Sequence, residues 1–245
     1  MGILRDLLKG FGDALFVNFK CMFCNTETTN TSLICDKCAS SVKRICDTIC
    51  PRCGANAEKS SGMCLYCFDK DYKFSEHRSC FVYNEQSSRP IKLLKYEQKK
   101  YLADPIARVM FALNSELFDG VDYLTFVPMT KERMKARGYN HGEELAKSLA
   151  EISGVPVISM IKKTKSTEHQ ADLNFVARCE NLKGSFELEE NVGKLIKGKS
   201  VVIVDDVFTT GSTISECSRI LRKCKLKSIK AITFLKTDPF ENVNV

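Results

Sequence analysis

The chain has 245 residues, 44% of them hydrophobic, and carries 37 Lys and Arg against 30 Asp and Glu, a formal charge of +7. That length accommodates one large domain plus a small one, and the apolar share is enough to bury a core. No apolar run approaches the roughly 20 residues a helix needs to cross a bilayer, which excludes an integral membrane segment of that kind.

Residues 1–18 open the chain. Ile3, Leu4, Leu7, Leu8, Phe11 and Leu15 recur at helical spacing, while Asp6, Lys9 and Asp13 interrupt the apolar run. A secretory signal needs an unbroken apolar stretch and a small-residue cleavage site, so this segment reads as an amphipathic helix docking on the adjoining domain. A membrane-surface helix fits less well, because the polar face mixes acid with base.

Residues 19–74 hold a duplication. Of 13 cysteines, nine fall between Cys21 and Cys67. Cys21, Cys24, Cys35 and Cys38 form a CxxC, ten residues, then a CxxC; Cys50, Cys53, Cys64 and Cys67 repeat that spacing 29 residues later. In a reducing compartment such pairs bind metal rather than form disulfides, and the expected location is the cytoplasm. Each CxxC makes a knuckle aiming two sulfurs at one ion, and Gly54 suits the tight turn because glycine tolerates positive φ. Two tetrathiolate Zn²⁺ sites with no open coordination position are therefore expected, structural rather than catalytic. An iron–sulfur site, disulfides and cross-pairing of knuckles between the two units stay open on spacing alone. Cys46 is a spare thiol. A segment this short builds no core of its own, so metal must supply most of its folding free energy.

Two such sites, at −2 each, bring the charge of +7 to about +3, so the basic excess is clustered. The stretch KERMKARGYNH is one cluster, and residues 217–237 carry seven Lys and Arg with no acid. Basic faces attract phosphates or nucleic acid, although solvated helix surface has the same composition. Tyr66, Phe68 and Tyr72 interleave with Lys70 and Lys73, an arrangement for stacking bases or for packing the ribbon.

From residue 78 to 245 the pattern changes. Residues 79–83 (SCFVY) read as a strand, residues 90–113 as helix, and residues 122–128 (DYLTFVP) as a buried strand stopped by proline. Next come a helix over 140–152, a strand over 155–161, a long polar loop over 162–183, a strand over 201–204, a helix over 212–223 and a strand over 229–235. This alternation predicts an α/β parallel sheet covered on both faces, with ligands bound beyond the carboxyl ends of its strands.

The sharpest motif lies at such an end. Residues 201–213 read VVIVDDVFTTGST: an apolar strand, two carboxylates, then hydroxyls around a glycine at the start of a helix. Backbone N–H groups and hydroxyls of Thr209, Thr210, Gly211, Ser212 and Thr213, at the positive end of the helix dipole, make a monophosphate cradle. Asp205 and Asp206 would repel a phosphate but suit sugar hydroxyls, so a phosphorylated ribose satisfies both halves. Signalling receiver domains also place paired carboxylates after a strand, but there the pair ends the first strand and an acceptor aspartate lies far downstream.

The thirteen-residue string closely resembles the signature by which type I phosphoribosyltransferases bind phosphoribosyl pyrophosphate (PRPP). Residues 127–150 (VPMTKERMKARGYNHGEELAKSLA), together with Gln170, Leu173, Arg178, Asn181 and the Gly184, Ser185, Phe186 triplet, resemble the ComF family, as does a double zinc ribbon ahead of such a domain. The family pattern has Phe and Gln where this chain has Tyr139 and His141. The resemblance implies that Asp205 and Asp206 contact the ribose hydroxyls and that residues 209–213 hold the 5′-phosphate. It implies a pyrophosphate loop around Met129, Thr130 and Arg133, with a strained or cis peptide near Met129, and Mg²⁺ bridging pyrophosphate and ribose. Arg133 and Arg137 become pyrophosphate donors, with Lys95 a further candidate and Arg137 grouped with the aspartates as catalytic. The loop carrying Glu168, His169, Gln170 and Arg178 becomes a hood over the site. Implied partners are PRPP, single-stranded DNA, a competence helicase or other DNA-uptake proteins, and a second copy in a homodimer. The implied role is in natural competence; a metabolic phosphoribosyltransferase with an unidentified acceptor is the alternative.

Overall fold

The computed structural model describes residues 19–30, 33–45, 48–57, 62–165 and 180–238. The expected helix over 1–18, Cys46, and the hood residues Glu168, His169, Gln170, Leu173 and Arg178 lie outside the described residues.

The 29-residue repeat is kept down to single hydrogen bonds. In the first unit Asn25 N–H donates to Cys21 C=O at 2.8 Å and Cys21 N–H to Thr26 C=O at 2.8 Å. In the second, Gly54 N–H donates to Cys50 C=O at 2.9 Å and Cys50 N–H to Ala55 C=O at 2.7 Å. Asn25 and Gly54 share a left-handed backbone, φ 66° and 67°. Only glycine fits the second, where a Cβ would lie 2.6 Å from the His77 carbonyl oxygen. The strands β1 (Phe19–Lys20) and β2 (Glu27–Thr28) pair antiparallel around the first knuckle. Its second knuckle opens α1 (Asp36–Ser41), whose counterpart 29 residues on is a 3₁₀ turn at Leu65–Cys67.

The main sheet has four parallel strands in the order β3 (Glu76–Val82), β8 (Ser228–Lys236), β7 (Ser200–Phe208), β4 (Tyr123–Phe126). Strand alternation sends Val202 and Val204 to one core and Val201 and Ile203 to the other. The first core is covered by α2 (Glu85–Tyr96), α3 (Ala103–Asn114) and α5 (His141–Ser153), and it includes Cys21, Met22, Phe23 and Cys38. The second is covered by α7 (Ser212–Arg222) and the hairpin of β5 (Ile161–Lys163) with β6 (Phe186–Leu188), and it includes Cys50, Cys53, Cys64, Cys67, Tyr72 and Phe74. Each ribbon unit thus completes a different face of the sheet. Two short helices, α4 (Lys131–Arg137) and α6 (Val192–Leu195), fill connections.

Four expectations need correction. The single helix expected over 90–113 is two: α2 ends at Tyr96, and Gln98 turns at φ 54°. Residues 97–100 (EQKK) offer no apolar side chain to bury, so nothing holds them on the sheet. The strand expected over 155–161 is a single parallel bridge between Leu124 and Val157, after which the chain enters β5. Pro156 accepts from Leu124 N–H at 2.8 Å but has no N–H to return, so the ladder stops there. Strand β7 extends to Phe208 rather than ending at Val204, so both aspartates lie inside the strand. Among the described residues no peptide bond is cis, and Thr130 has an ordinary φ of −68°, unlike the strained backbone expected there.

Candidate functional site

Because Asp205 and Asp206 are consecutive in a strand, their side chains depart toward opposite faces. Asp206 enters the first face and is buried; its carboxylate forms an ion pair with Lys95 near the end of α2 and lies 3.4 Å from His141 Nε2 at the start of α5. Asp205 stays half-buried, with Cys217 of α7 and Lys163 of β5 in electrostatic reach. Burial works against the Asp206 charge, but Lys95 and His141 prevail and hold its carboxyl well below the usual range. Burial, reinforced by the Asp206 charge, pushes the Asp205 carboxyl well above it. Burial also opposes the Lys95 charge, yet Asp206 raises its pKa.

After Phe208 the chain turns into α7. Gly211 sits at φ 79° directly before the first helical residue, and the Thr210 hydroxyl lies 3.0 Å from the Ser212 hydroxyl. The helix N-terminus is therefore reached through a left-handed residue, with hydroxyls around it and no acid in the first turn.

Both halves of the motif border one cavity of about 270 Å³ at the carboxyl ends of β4 and β7. Asp205, Asp206, Thr209, Ser212 and Thr213 line it, as do Met129, Thr130, Arg133, Arg137 and Lys95 from the sequence-derived site. Thr210 and Gly211 shape the turn without lining it. Arg137 is steadied with its guanidinium 5.0 Å from the Tyr96 ring centre. Thr130 caps α4 by accepting from Arg133 N–H at 3.3 Å, which fixes the loop after β4.

Three contributors were not singled out by sequence. Lys163 lines the cavity from β5, where burial, with Arg133 nearby, lowers its pKa; within a run of alternating lysines nothing marked it. His141 was noted only as a departure from a family pattern, but it is the partner of Asp206. Asn140 ties β4 to α5: its amide donates to Val127 C=O at 3.1 Å while its oxygen accepts from Gly142 N–H at 2.9 Å. An Asn before a helical run is a cap signature and was the available clue. Tyr72 is 1% exposed and cannot stack a base, whereas Phe68 is 84% exposed. His77 is buried, donates from Nδ1 to Cys53 C=O at 2.7 Å, and burial lowers its pKa well below the usual value.

Residues 193–200 spell G-x-x-x-x-G-K-S, the string of a nucleotide-binding P-loop. They lead into β7 instead of joining a strand to a helix, and Lys199 pairs with Asp122 at 3.0 Å, at the far end of the strand from the cavity. That string is not a phosphate site here.

The thiols settle the knuckle pairing. Cys21, Cys24, Cys35 and Cys38 converge in one group and Cys50, Cys53, Cys64 and Cys67 in another, each with sulfurs within 4.8 Å of one another. Cys24 and Cys35 sulfurs are 3.6 Å apart, Cys53 and Cys64 sulfurs 3.5 Å. A tetrahedron with Zn–S of about 2.3 Å has edges of about 3.8 Å, so both sets fit Zn²⁺. The second set is wholly buried, while Cys24 is exposed, and the Thr26 hydroxyl lowers its thiol to about 6.

Among the described residues no helix is long and apolar enough to cross a membrane. Residues 135–239 match the phosphoribosyl transferase domain model and residues 11–83 the double zinc ribbon domain model. The chain is 27% identical to Competence protein F of Haemophilus influenzae, over 88% of this chain and 96% of that one. It is 32% identical to DNA utilization protein YhgH of Salmonella typhimurium, over 77% and 83%. Competence protein ComFC of Bacillus subtilis is 23% identical, over 83% and 84%.

Proposed function

The chain belongs to the ComF family of competence and DNA-utilization proteins, and from that premise we propose that it binds PRPP and acts in the uptake and processing of transforming single-stranded DNA in the cytoplasm. The observation that carries the reading is the shared cavity: an acid pair for the ribose hydroxyls beside a hydroxyl-rich helix start for the 5′-phosphate. The acids would repel a phosphate and the helix start draws one, so a ligand carrying both a polyol and a phosphate suits the two halves together.

Arg133, Arg137 and Lys163 line the side where a pyrophosphate group would extend. Mg²⁺ would come with the pyrophosphate as part of the substrate; in the group of His141, Asp205 and Asp206, whose ligand atoms lie within 4.8 Å of one another, Asp205 is the carboxylate that could contact it, because Asp206 is matched by Lys95 and His141. In a transfer, the bond from the anomeric carbon to pyrophosphate breaks and a nucleophile takes its place. Positive charge grows on the sugar and negative charge on the leaving group. The aspartates and the basic residues complement those two charges. For DNA, the exposed helix α4, with Lys131, Arg133, Lys135 and Arg137, supplies a phosphate-attracting surface at the cavity mouth.

Calorimetry with PRPP and Mg²⁺ tests the site. Wild type should bind at micromolar strength, and Asp205→Asn with Asp206→Asn should abolish binding; equal affinity in that double variant rejects the assignment. Affinity for oligo-dT should fall steeply between low and physiological salt, and a flat response argues against the DNA role. Pyrophosphate released from PRPP only on adding a metabolite extract, with no effect of DNA, would favour a metabolic transferase instead.

A further inference from the structure

The second ribbon unit does more than fold. From its metal site a continuous set of contacts reaches the loop of residues 209–213. Tyr72, five residues after Cys67, is buried and donates its hydroxyl to the Thr210 carbonyl at 2.8 Å. Arg52, inside the Cys50–Cys53 knuckle, donates in turn to the Tyr72 carbonyl. Lys73 N–H donates to the Ser215 hydroxyl in the first turn of α7 at 3.2 Å. Gly211 presses so closely on this group that a Cβ there would lie 2.8 Å from Tyr72 Cε1. Phe208 completes the group: its ring lies 4.0 Å from that of His77, which holds Cys53 C=O. The Lys236 ammonium, buried and with no hydrogen-bond partner, lies 4.4 Å from the Phe208 ring centre.

The first unit is an internal control. The position 29 residues before Tyr72 is Lys43, whose ammonium reaches Asp238 at 3.9 Å. Cys38 is met by Gln86 of α2 at 3.4 Å, and Met22 C=O by Arg89 at 3.1 Å. The duplication therefore diverged at the position that touches the cradle.

We propose that Tyr72 is a positioning residue coupling the second tetrathiolate site to the phosphate cradle, so that zinc there and PRPP bind with positive cooperativity. This rests on the cradle being the PRPP phosphate site. Zinc fixes the backbone that presents Tyr72, Tyr72 fixes Thr210 and Gly211, and a phosphate seated on α7 holds the same segment from the other side. Binding linkage is reciprocal, so each ligand must tighten the equilibrium affinity for the other by the same factor, and slower release of zinc is the expected readout of that tightening.

The full-length zinc-loaded chain is challenged with a chromogenic chelator with and without PRPP and Mg²⁺. Zinc should leave in two phases, the first site, where Cys24 is exposed, before the wholly buried second, and PRPP should slow only the second phase, several-fold. Tyr72→Phe should retain two zinc ions per chain, lose that slowing, and bind PRPP about 5-fold more weakly, the scale of one hydrogen bond. A wild-type chain that binds PRPP but releases zinc at an unchanged rate overturns the coupling alone, as does a two-zinc Tyr72→Phe chain that behaves as wild type. A wild-type chain that binds no PRPP overturns both the coupling and the site on which it rests.

Discussion

Asp205 and Asp206 are chemically identical and adjacent, yet the pleat gives them opposite surroundings. Asp206 faces Lys95 and His141 and is held charged; Asp205 is pushed toward its neutral form by burial and by the Asp206 charge. Their contributions to stability run in opposite directions. The depressed Asp206 contributes stability that is present above its unfolded pKa and lost as pH falls through its folded value. The raised Asp205 contributes stability that is present below its unfolded pKa and lost as pH rises through its folded value. Accepting a hydrogen bond from a ribose hydroxyl favours ionised Asp205. PRPP binding should therefore release a proton, and affinity should rise with pH through the range where Asp205 titrates in the free chain. Calorimetry in buffers of different ionisation enthalpy measures that proton. Asp205→Asn should remove it, and a binding enthalpy independent of buffer would contradict the account.

At the scale of elements, the junction from β7 to α7 was legible because its composition has no other economical reading: buried β-branched residues, acids, then hydroxyls around a glycine. The length of β7 was not legible, since two carboxylates look like a strand end until Lys95 and His141, from helices far off in sequence, arrive to partner one of them. The helix break at residues 97–102 and the failed strand at 155–161 were missed because both depend on which neighbour is available to bury or pair a segment. Pro156 was the clue to the second. Gly211 tests the junction itself. Its φ of 79° disfavours any side chain, and a Cβ would overlap the Phe208 ring and crowd Tyr72. Gly211→Ala should cost about 1–3 kcal/mol through overpacking and backbone strain. Thermal unfolding measures the cost, and PRPP affinity should fall with it because the cradle must shift. A variant as stable and as tight-binding as wild type would mean that the left-handed turn is not required.

For the molecule as a whole, the sequence shows a cysteine-rich segment and an α/β segment as neighbours, and the composition change near residue 78 invites the expectation of two independent domains. The packing that joins them could not be read from spacing, because cysteines announce their metal but not the surface they rest on. Cys21, Met22 and Phe23 lie in one core of the sheet, with Phe23 stacked 6.2 Å from Phe234; Tyr72 and Phe74 lie in the other, with Phe74 edge-on to Phe208 at 6.1 Å. Even β3, the edge strand of the sheet, begins only after the second ribbon ends, and its partner β8 is clasped at Ser75, whose N–H donates to Ile229 C=O at 2.8 Å. Removing the ribbons would therefore uncover apolar surface on both faces at once. Burying a large aromatic side chain is worth about 1.5–3 kcal/mol. Loss of Phe23, Tyr72 and Phe74 together would rival the roughly 5–15 kcal/mol total stability of an ordinary domain. A chain beginning at residue 75, which keeps all of β3, should consequently lack a cooperative thermal transition and should bind a dye that reports exposed apolar surface. Chelating both zinc ions from the full chain should move it toward the same state, the second site being the one whose loss also empties the cradle. A truncated chain that melts in one sharp transition would show that the sheet closes its own core and that the ribbons are guests upon it.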